Sequence, residues 1–353
     1  MSIRTSGDDS VAAIVVTYNR KQLLAECIDV LLAQSYPVDR IYIVNNCSTD
    51  GTVDMLRDKG YLSDNRIQLL SLRRNVGGAG GFYMGMKTAT QTDDACKYLW
   101  IMDDDAIPER DALEELIHAA DRLGGNTGSL VAESTVSSKV QEAGGGVTQD
   151  SSAAKPAHAF SFLASSVHGI NGEPMNVPNL MTRKSGNGYK DWYRHLGDGM
   201  VEIRDATFVS LLIPTDAVRT CGLPCKEYFI WGDDSEYTMR LIRHYGKAYM
   251  VGASRICHKR EGAVGLDIRL ETSPDRIRLY RYFFRNNIIN RYIYESRLEL
   301  LRFTLSGVRD ALMSLVTEHG LLKAVTVARG MAAAVRDCGR VRSYIEGSIK
   351  SDR

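Results

Sequence analysis

The chain has 353 residues, of which 44% are hydrophobic and 25% charged. That apolar share supports a buried core, and the length suggests about two domains. With 44 Lys+Arg against 43 Asp+Glu the net charge is +1, which excludes a protein that is basic overall and wraps nucleic acid, and equally an acidic disordered tail.

The predicted elements begin at Val11–Thr17, an apolar, β-branched run that favours a strand. Residues 20–33 place Leu23, Leu24, Cys27, Ile28, Leu31 and Leu32 at helical spacing. Residues 41–44 predict a second strand, Asp50-Gly51 a turn, and 52–59 a short helix stopped by Gly60. A third strand is expected over 67–72, a helix over 81–90, a fourth strand over 98–102 and a helix over 111–123. Such alternation predicts βαβ units on a largely parallel sheet, which binds ligands at the carboxyl ends of its strands. Residues 133–200 are rich in Ser, Gly, Ala and Asn and predict long loops or short strands over the site. Order returns with a strand over 207–213 and a helix over Asp233–His244.

From residue 269 onward there are 16 Lys+Arg and 9 Asp+Glu, a net of +7; the first 268 residues hold 28 against 34, a net of −6. Leu279, Tyr282, Phe283, Ile288, Ile289, Tyr292 and Ile293, then Leu312, Leu315 and Val316, recur at helical spacing. A basic helical tail either packs with a solvated face or also lies on an anionic membrane. No run reaches the ~18 apolar residues of a spanning helix. The opening MSIRTSGDDS is polar, so no secretory segment is expected and a cytoplasmic location is. Seven cysteines without a CxxC read as reduced thiols, and Cys221 and Cys225 have no second pair nearby to complete a zinc site.

Four motifs carry chemistry. Asp103-Asp104-Asp105 follows an apolar strand; alternation would point Asp103 and Asp105 the same way, and crowded carboxylates suit a divalent cation. The same acids would also suit the start of a helix. Trp231-Gly232-Asp233-Asp234-Ser235-Glu236 again gathers acids at a helix start, either as caps or as a base for a hydroxyl nucleophile. Asn75-Val76-Gly77-Gly78-Ala79-Gly80-Gly81 follows a strand, and its glycines would let backbone N–H groups approach an anion or a sugar. It is not a dinucleotide fingerprint, since Tyr83 stands where GxGxxG needs glycine. Thr17-Tyr18-Asn19-Arg20 and Asn45-Asn46 to Thr52 close the first two strands with short polar side chains, fit for a nucleotide or for ordinary turns. His258 is a lone histidine, a residue type more often structural than ligating.

The order of VAAIVVTYNR, IVNNCSTDGT, RNVGGAGGF, WIMDDDAIP, FVSLLIP, YFIWGDDSEY and ICH, over about residues 11–260, resembles family 2 glycosyltransferases of the GT-A fold. NVGGAGGF followed by MDDDA is most similar to bacterial galactofuranosyltransferases, with rhamnosyltransferases as close relatives, and Tyr282–Asn286 resembles an aromatic-Arg-Asn motif of these enzymes. The resemblance implies a GT-A domain, α/β and Rossmann-like with a mostly parallel sheet, over 11–262; 133–200 would be an acceptor-side insertion and 263–353 a helical, basic C-terminal region. It implies Asp103, Asp105 and His258 as ligands of Mn²⁺ or Mg²⁺, Asp234 as catalytic base and Asp233 as its neighbour. Thr17, Asn19, Arg20, Asn45, Asn46, Asp50 and Asp104 would line the donor nucleotide with Asn75, Gly77, Gly78, Gly80 and Gly81, while Trp231 and Glu236 would meet the acceptor. Asn45-Asn46 departs from the family, which commonly carries an Asp there.

The implied reaction is an inverting transfer, from UDP-galactofuranose first and dTDP-rhamnose as the alternative. The acceptor would be a hydroxyl of a lipid-linked surface glycan at the inner face of the cell membrane. A homo-oligomer is compatible with this reading. A sugar nucleotidyltransferase would need a Gly-rich basic loop after the first strand, which Thr17–Arg20 lacks. A non-catalytic binding module fits poorly with acids kept at 103, 105 and 234.

Overall fold

A computed structural model describes residues 9–92, 96–125, 158–260 and 265–349. The expectation for 133–157 therefore lies outside the described residues. The first half runs β1 (Val11–Thr17), α1 (Lys21–Leu32), β2 (Arg40–Asn45), α2 (Thr52–Asp58), β3 (Ile67–Ser71), α3 (Gly77–Thr90) and β4 (Tyr98–Asp103). Strands β3-β2-β1-β4 lie side by side and parallel. Then come β5 (Ala106–Pro108), α4 (Ala112–Gly125), β6 (Phe162–His168), β7 (Met200–Ile203), β8 (Leu211–Pro214), α5 (Thr215–Cys221), α6 (Asp233–His244) and β9 (Ala248–His258).

These extend the sheet in the order β4-β8-β6-β9-β5, with β7 also on β9. The expected parallel arrangement holds for β3-β2-β1-β4, and the second half makes the whole sheet mixed. β8 is antiparallel to β4 and β6, and β5 and β7 are antiparallel to β9; only β6 and β9 pair parallel. A parallel neighbour needs a crossover, usually helical, and no α-helix directly precedes β7 or β8 among the described residues, only short 3-10 turns before β7. The strand expected over 207–213 is shorter and later for a local reason. Residues 208–209 form a turn before β8, beside which the Ser210 hydroxyl accepts from Trp100 Nε1 at 2.9 Å and bonds Ser165 Oγ at 2.8 Å.

Both faces of the sheet are covered. Leu24, Ile28 and Leu31 of α1 pack with Leu113, Leu116 and Ile117 of α4 on one side. Phe82 and Met86 of α3 pack with Tyr237 and Leu241 of α6 on the other. Each such side chain contributes roughly 1.5–3 kcal/mol on burial. Helix α3 comes close to β1 at Gly85, where a Cβ would lie 2.5 Å from Ile14 Cγ2.

The C-terminal region is three helices, α7 (Pro274–Tyr294), α8 (Arg297–Ser314) and α9 (Gly320–Ser348). Ser273 and Ser296 cap α7 and α8 by accepting from the N–H three residues on. Ile289 of α7 and Ala334, Val341 and Ile345 of α9 share a core with Ala79 and Tyr228, so these helices are seated on the start of α3. α8 differs, since its only buried residues are Gly307 and Ser314. No helix of the described residues is long and apolar enough to cross a membrane.

Candidate active site

Strand register gathers the polar motifs at one edge. Thr17 pairs with Asn45 and Val16 with Asp103, so β1, β2 and β4 end together. The chain turns at Asp104-Asp105 into β5, whose first residue, Ala106, pairs with His258 at the end of β9. That pairing brings a histidine 153 positions away beside Asp105, and Lys259 N–H donates to the Asp105 carbonyl at 2.8 Å. One ligand atom from each of Asp103, Asp105 and His258 lies within 4.8 Å of the others. The turn, rather than strand alternation, sets the relation of Asp103 to Asp105.

The donor set fits a divalent cation. Asp105 Oδ1 is buried without a hydrogen-bond partner, 3.3 Å from His258 Nε2. His258 Nδ1 lies 2.9 Å from the Asn176 side-chain oxygen. With the proton on Nδ1 donated to Asn176, the Nε2 lone pair faces the carboxylates, the arrangement that orients a metal-binding imidazole. Burial and the neighbouring Asp105 and Asp104 push the Asp103 carboxyl well up. Burial takes Asp104 to about 6, against the Thr17 hydroxyl at 2.7 Å and Arg20 at 3.2 Å. Burial would also raise Asp105, but His258, in its protonated form, and Arg20 outweigh it and hold Asp105 below its usual range. A buried acidic cluster whose ion-pair partners among the described residues are the half-exposed Arg20 and, when protonated, His258 is costly without further positive charge.

The acids of α6 enter through a strained loop. Phe229 and Trp231 both sit at positive φ, 65° and 61°, and Gly232 at 91°. Two asparagines one turn apart on α7 hold this loop. Asn286 Nδ2 donates to the carbonyls of Tyr228, Ile230 and Trp231 at 2.9, 3.1 and 2.8 Å. Asn290 donates to the Gly232 carbonyl at 2.8 Å and accepts from the Tyr228 hydroxyl at 2.7 Å. Bulky residues at positive φ persist only where surrounding contacts over-determine them. The charge of Asp233 reaches Asp103, while Asp234 feels that of Asp205. Burial, then Asp234, drives the Asp233 carboxyl far up; burial takes Asp234 to about 6.

The remaining expected residues divide. Thr17 and Arg20 contact Asp104. Asn19, at φ 54°, accepts from Thr49 N–H at 2.7 Å and lies exposed at the rim. Asn45 accepts from Ser48 N–H, and Asp50 accepts from Lys21 and Thr52 N–H, pinning the starts of α1 and α2. Asn46 is buried and spends its amide on Asn75, Val76 and Gly77, so it shapes the loop before α3 instead of facing a base.

Glycine-rich α3 starts at Gly77, four residues before its expected start, because Asn75 accepts from Gly77 N–H at 2.8 Å. The anion-cradle expectation is corrected for most of this run. At Gly77 (φ 74°) a Cβ would fall 2.0 Å from the Phe229 carbonyl oxygen, at Gly80 2.5 Å from Val76 and at Gly81 2.5 Å from Val16. Gly78 alone of the four has open space where a Cβ would be.

Trp231 is half-buried against Tyr280, ring centroids 5.0 Å apart. The acceptor role expected for Glu236 is corrected. Its side chain is fully buried, bonded to Arg240 at 3.0 and 2.7 Å and to the Tyr294 hydroxyl at 2.7 Å, leaving no free face. Sequence reading missed Asn176, which lies in a stretch without pattern. It flagged Asn286 only as part of an aromatic-Arg-Asn motif without a role, and missed Asn290, whose i,i+4 spacing from Asn286 on a helix was the available signal.

Residues 12–143 match the family model described as glycosyl transferase family 2. Over 98 residues the chain is 39% identical to galactofuranosyltransferase GlfT1 of Mycobacterium tuberculosis (strain ATCC 25618 / H37Rv), a segment that is 28% of this chain and 31% of that protein. It is 34% identical over 98 residues to galactofuranosyltransferase GlfT1 of Mycolicibacterium smegmatis, covering 28% of this chain and 30% of that one. Over 106 residues it is 29% identical to glycosyltransferase GlyG of Streptococcus pneumoniae serotype 4, covering 30% of this chain and 33% of that protein. The matches thus span about a third of these relatives. Among solved structures, GalNAc-T7 with UDP, GalNAc and Mn²⁺ superposes with a TM-score of 0.50 at 13% identity, over 95% of this chain and 58% of that chain. At that identity the likeness is one of fold, and the fold is GT-A.

Proposed function

We propose, on the premise that residues 12–143 are a glycosyl transferase family 2 domain, that this chain is an inverting, metal-dependent glycosyltransferase. It moves galactofuranose from UDP-galactofuranose to a hydroxyl of a lipid-linked surface glycan. The observation that carries the reaction type is the cluster of Asp103, Asp105 and His258 at the strand ends, with an orphaned carboxylate oxygen inside it. The choice of donor rests on the two galactofuranosyltransferase relatives, each matched over 28% of this chain.

A Mn²⁺ or Mg²⁺ ion bound there would supply positive charge against the departing diphosphate. Asp103 and Asp105 would hold that ion, with His258 kept in register by Asn176. Thr17 and Arg20 orient Asp104 toward the ribose, and Asn19, Asn45 and Asp50 frame the nucleotide rim. Asp234 takes the proton of the attacking hydroxyl. Its carboxyl near 6 is ionised at neutral pH, whereas burial and the neighbouring Asp234 push Asp233 well above its usual range, which favours Asp234 as the base. One base and no enzymatic nucleophile give a single displacement with inversion at the sugar, as in inverting glycoside hydrolysis. Trp231 faces the acceptor side.

The acceptor's lipid places the enzyme on the inner face of the membrane as a peripheral protein. Support comes from α8, whose Leu298, Leu301, Leu305, Val308 and Leu312 recur at helical spacing and are all exposed. Arg297, Arg302 and Arg309 flank them in a region of net charge +7. An apolar stripe bordered by arginine suits an anionic lipid surface.

Turnover tests the reading. Native enzyme with Mn²⁺ should release UDP from UDP-galactofuranose and transfer the sugar, and Asp234→Asn should lose about 10²–10⁴-fold in kcat while keeping UDP affinity. Near-native turnover by Asp234→Asn contradicts the base; turnover of dTDP-rhamnose instead contradicts the donor.

A further inference from the structure

Away from the carboxylates, a cavity of about 580 Å³ opens between α7 and α9, walled by Arg281 and Arg285, by Arg329, Arg336 and Arg340, and by Glu227 and Asp337. The helices are closest at Gly330, where a Cβ would lie 2.7 Å from the Arg281 carbonyl oxygen; beyond it the small Ala332 and Ala333 leave the space.

Both acids are already spent. Asp337 accepts from Arg285 Nε at 2.8 Å and Arg336 Nε at 3.0 Å, and its carboxyl is held down at about 2, by Arg336 above all and, against burial, by Arg285. Glu227 is paired with Arg340 at 2.6 Å. Arg281 donates to the Tyr282 hydroxyl and lies over its ring, with no carboxylate partner among the described residues. The Arg329 side chain has neither an ion pair nor a hydrogen bond among the described residues. Five guanidinium groups against two carboxylates leave a surplus of three positive charges facing one cavity.

We propose that this cavity binds a phosphate or diphosphate ester at a second site, separate from the donor's. Guanidinium forks match phosphate oxygens in pairs. The space, many times the ~30 Å³ share of one water, admits more than a single phosphate. The contrast with the strand-end site is chemical. There carboxylates need a cation before they can face a diphosphate; here the protein carries the positive charge itself, so binding needs no metal. The wall is continuous with the active-site loop, since Arg285 donates to the Glu227 carbonyl at 3.2 Å and Tyr282 stacks on Phe229 with centroids 4.8 Å apart.

The test is calorimetry of inorganic pyrophosphate with the full chain in EDTA. The native protein binds; Arg281→Gln/Arg329→Gln binds at least ten-fold more weakly at an unchanged melting temperature; Asp105→Ala binds as native. Absence of metal-free binding, or equal binding by the double variant, overturns the proposal. A second arm separates the sources, using phosphatidylcholine vesicles with and without phosphatidic acid. Vesicle binding that is lowered in the double variant and displaced by pyrophosphate assigns the site to a lipid-borne phosphate. Dependence on the two arginines for pyrophosphate alone assigns it to a soluble ester, and dependence in neither arm overturns the site.

Discussion

Asp233 and Asp234 are neighbours in sequence and differ in their electrostatic surroundings. Asp233 is raised by burial and by Asp234 beside it, while Asp234 is satisfied in part by Ser235 N–H at 2.7 Å. The account therefore predicts an acid limb. A base that must be ionised, with its carboxyl raised to about 6, gives a kcat that climbs as pH rises through about 6 rather than about 4, and is near its plateau at neutral pH. A kcat profile flat from pH 5 to 8, measured with saturating donor and Mn²⁺, would contradict the assignment.

Legibility at this scale follows from distance along the chain. The Asp103-Asp104-Asp105 run is visible because its members are adjacent. His258 stood out only through the order of the motifs, since β5–β9 pairing, not spacing, brings it to Asp105. Glu236 looked like a site residue beside Asp234, but one helical turn separates it from Arg240, and their full burial makes it structural.

The loop between α5 and α6 shows how an element far along the chain sets the site. Asn286 bonds three carbonyls of a segment that holds Phe229 and Trp231 at positive φ. Asn286→Asp keeps the shape and loses the donor, so it should behave like Asn286→Ala. Both should lower kcat ten-fold or more with UDP affinity unchanged, and both should cost about 1–3 kcal/mol of stability. A folded Asn286→Asp enzyme with native kcat would contradict the clamp. The β/α alternation up to β4 was readable because apolar periodicity and glycine punctuation agree there. The start of α3 was not, because Gly77–Gly81 reads as a flexible loop. Close contacts with Phe229, Val76 and Val16 are what require glycine at three of its positions. A strand was expected at β8, but β7 and the antiparallel pairing of both were hidden for a related reason, since their order is fixed by partners distant in sequence.

At the scale of the molecule, the strand ends carry clustered acid and the last three helices carry surplus base. The C-terminal charge was countable from sequence, but the exposed stripe on α8 was not, because a buried and an exposed apolar face share one spacing. Vesicles containing phosphatidylserine should retain the native protein, less so at raised salt, and should release Leu301→Ser/Leu305→Ser/Leu312→Ser at any salt. Equal retention of that variant would move the contact elsewhere. The central claim is that Asp103, Asp105 and His258 make donor binding depend on a metal. Calorimetry of UDP with and without Mn²⁺, on the native protein and on Asp105→Ala, tests it most directly. The account predicts tight UDP binding only with Mn²⁺, weakened at least ten-fold in the variant. UDP binding of equal strength in EDTA, or a native-like metal response from Asp105→Ala, would contradict it.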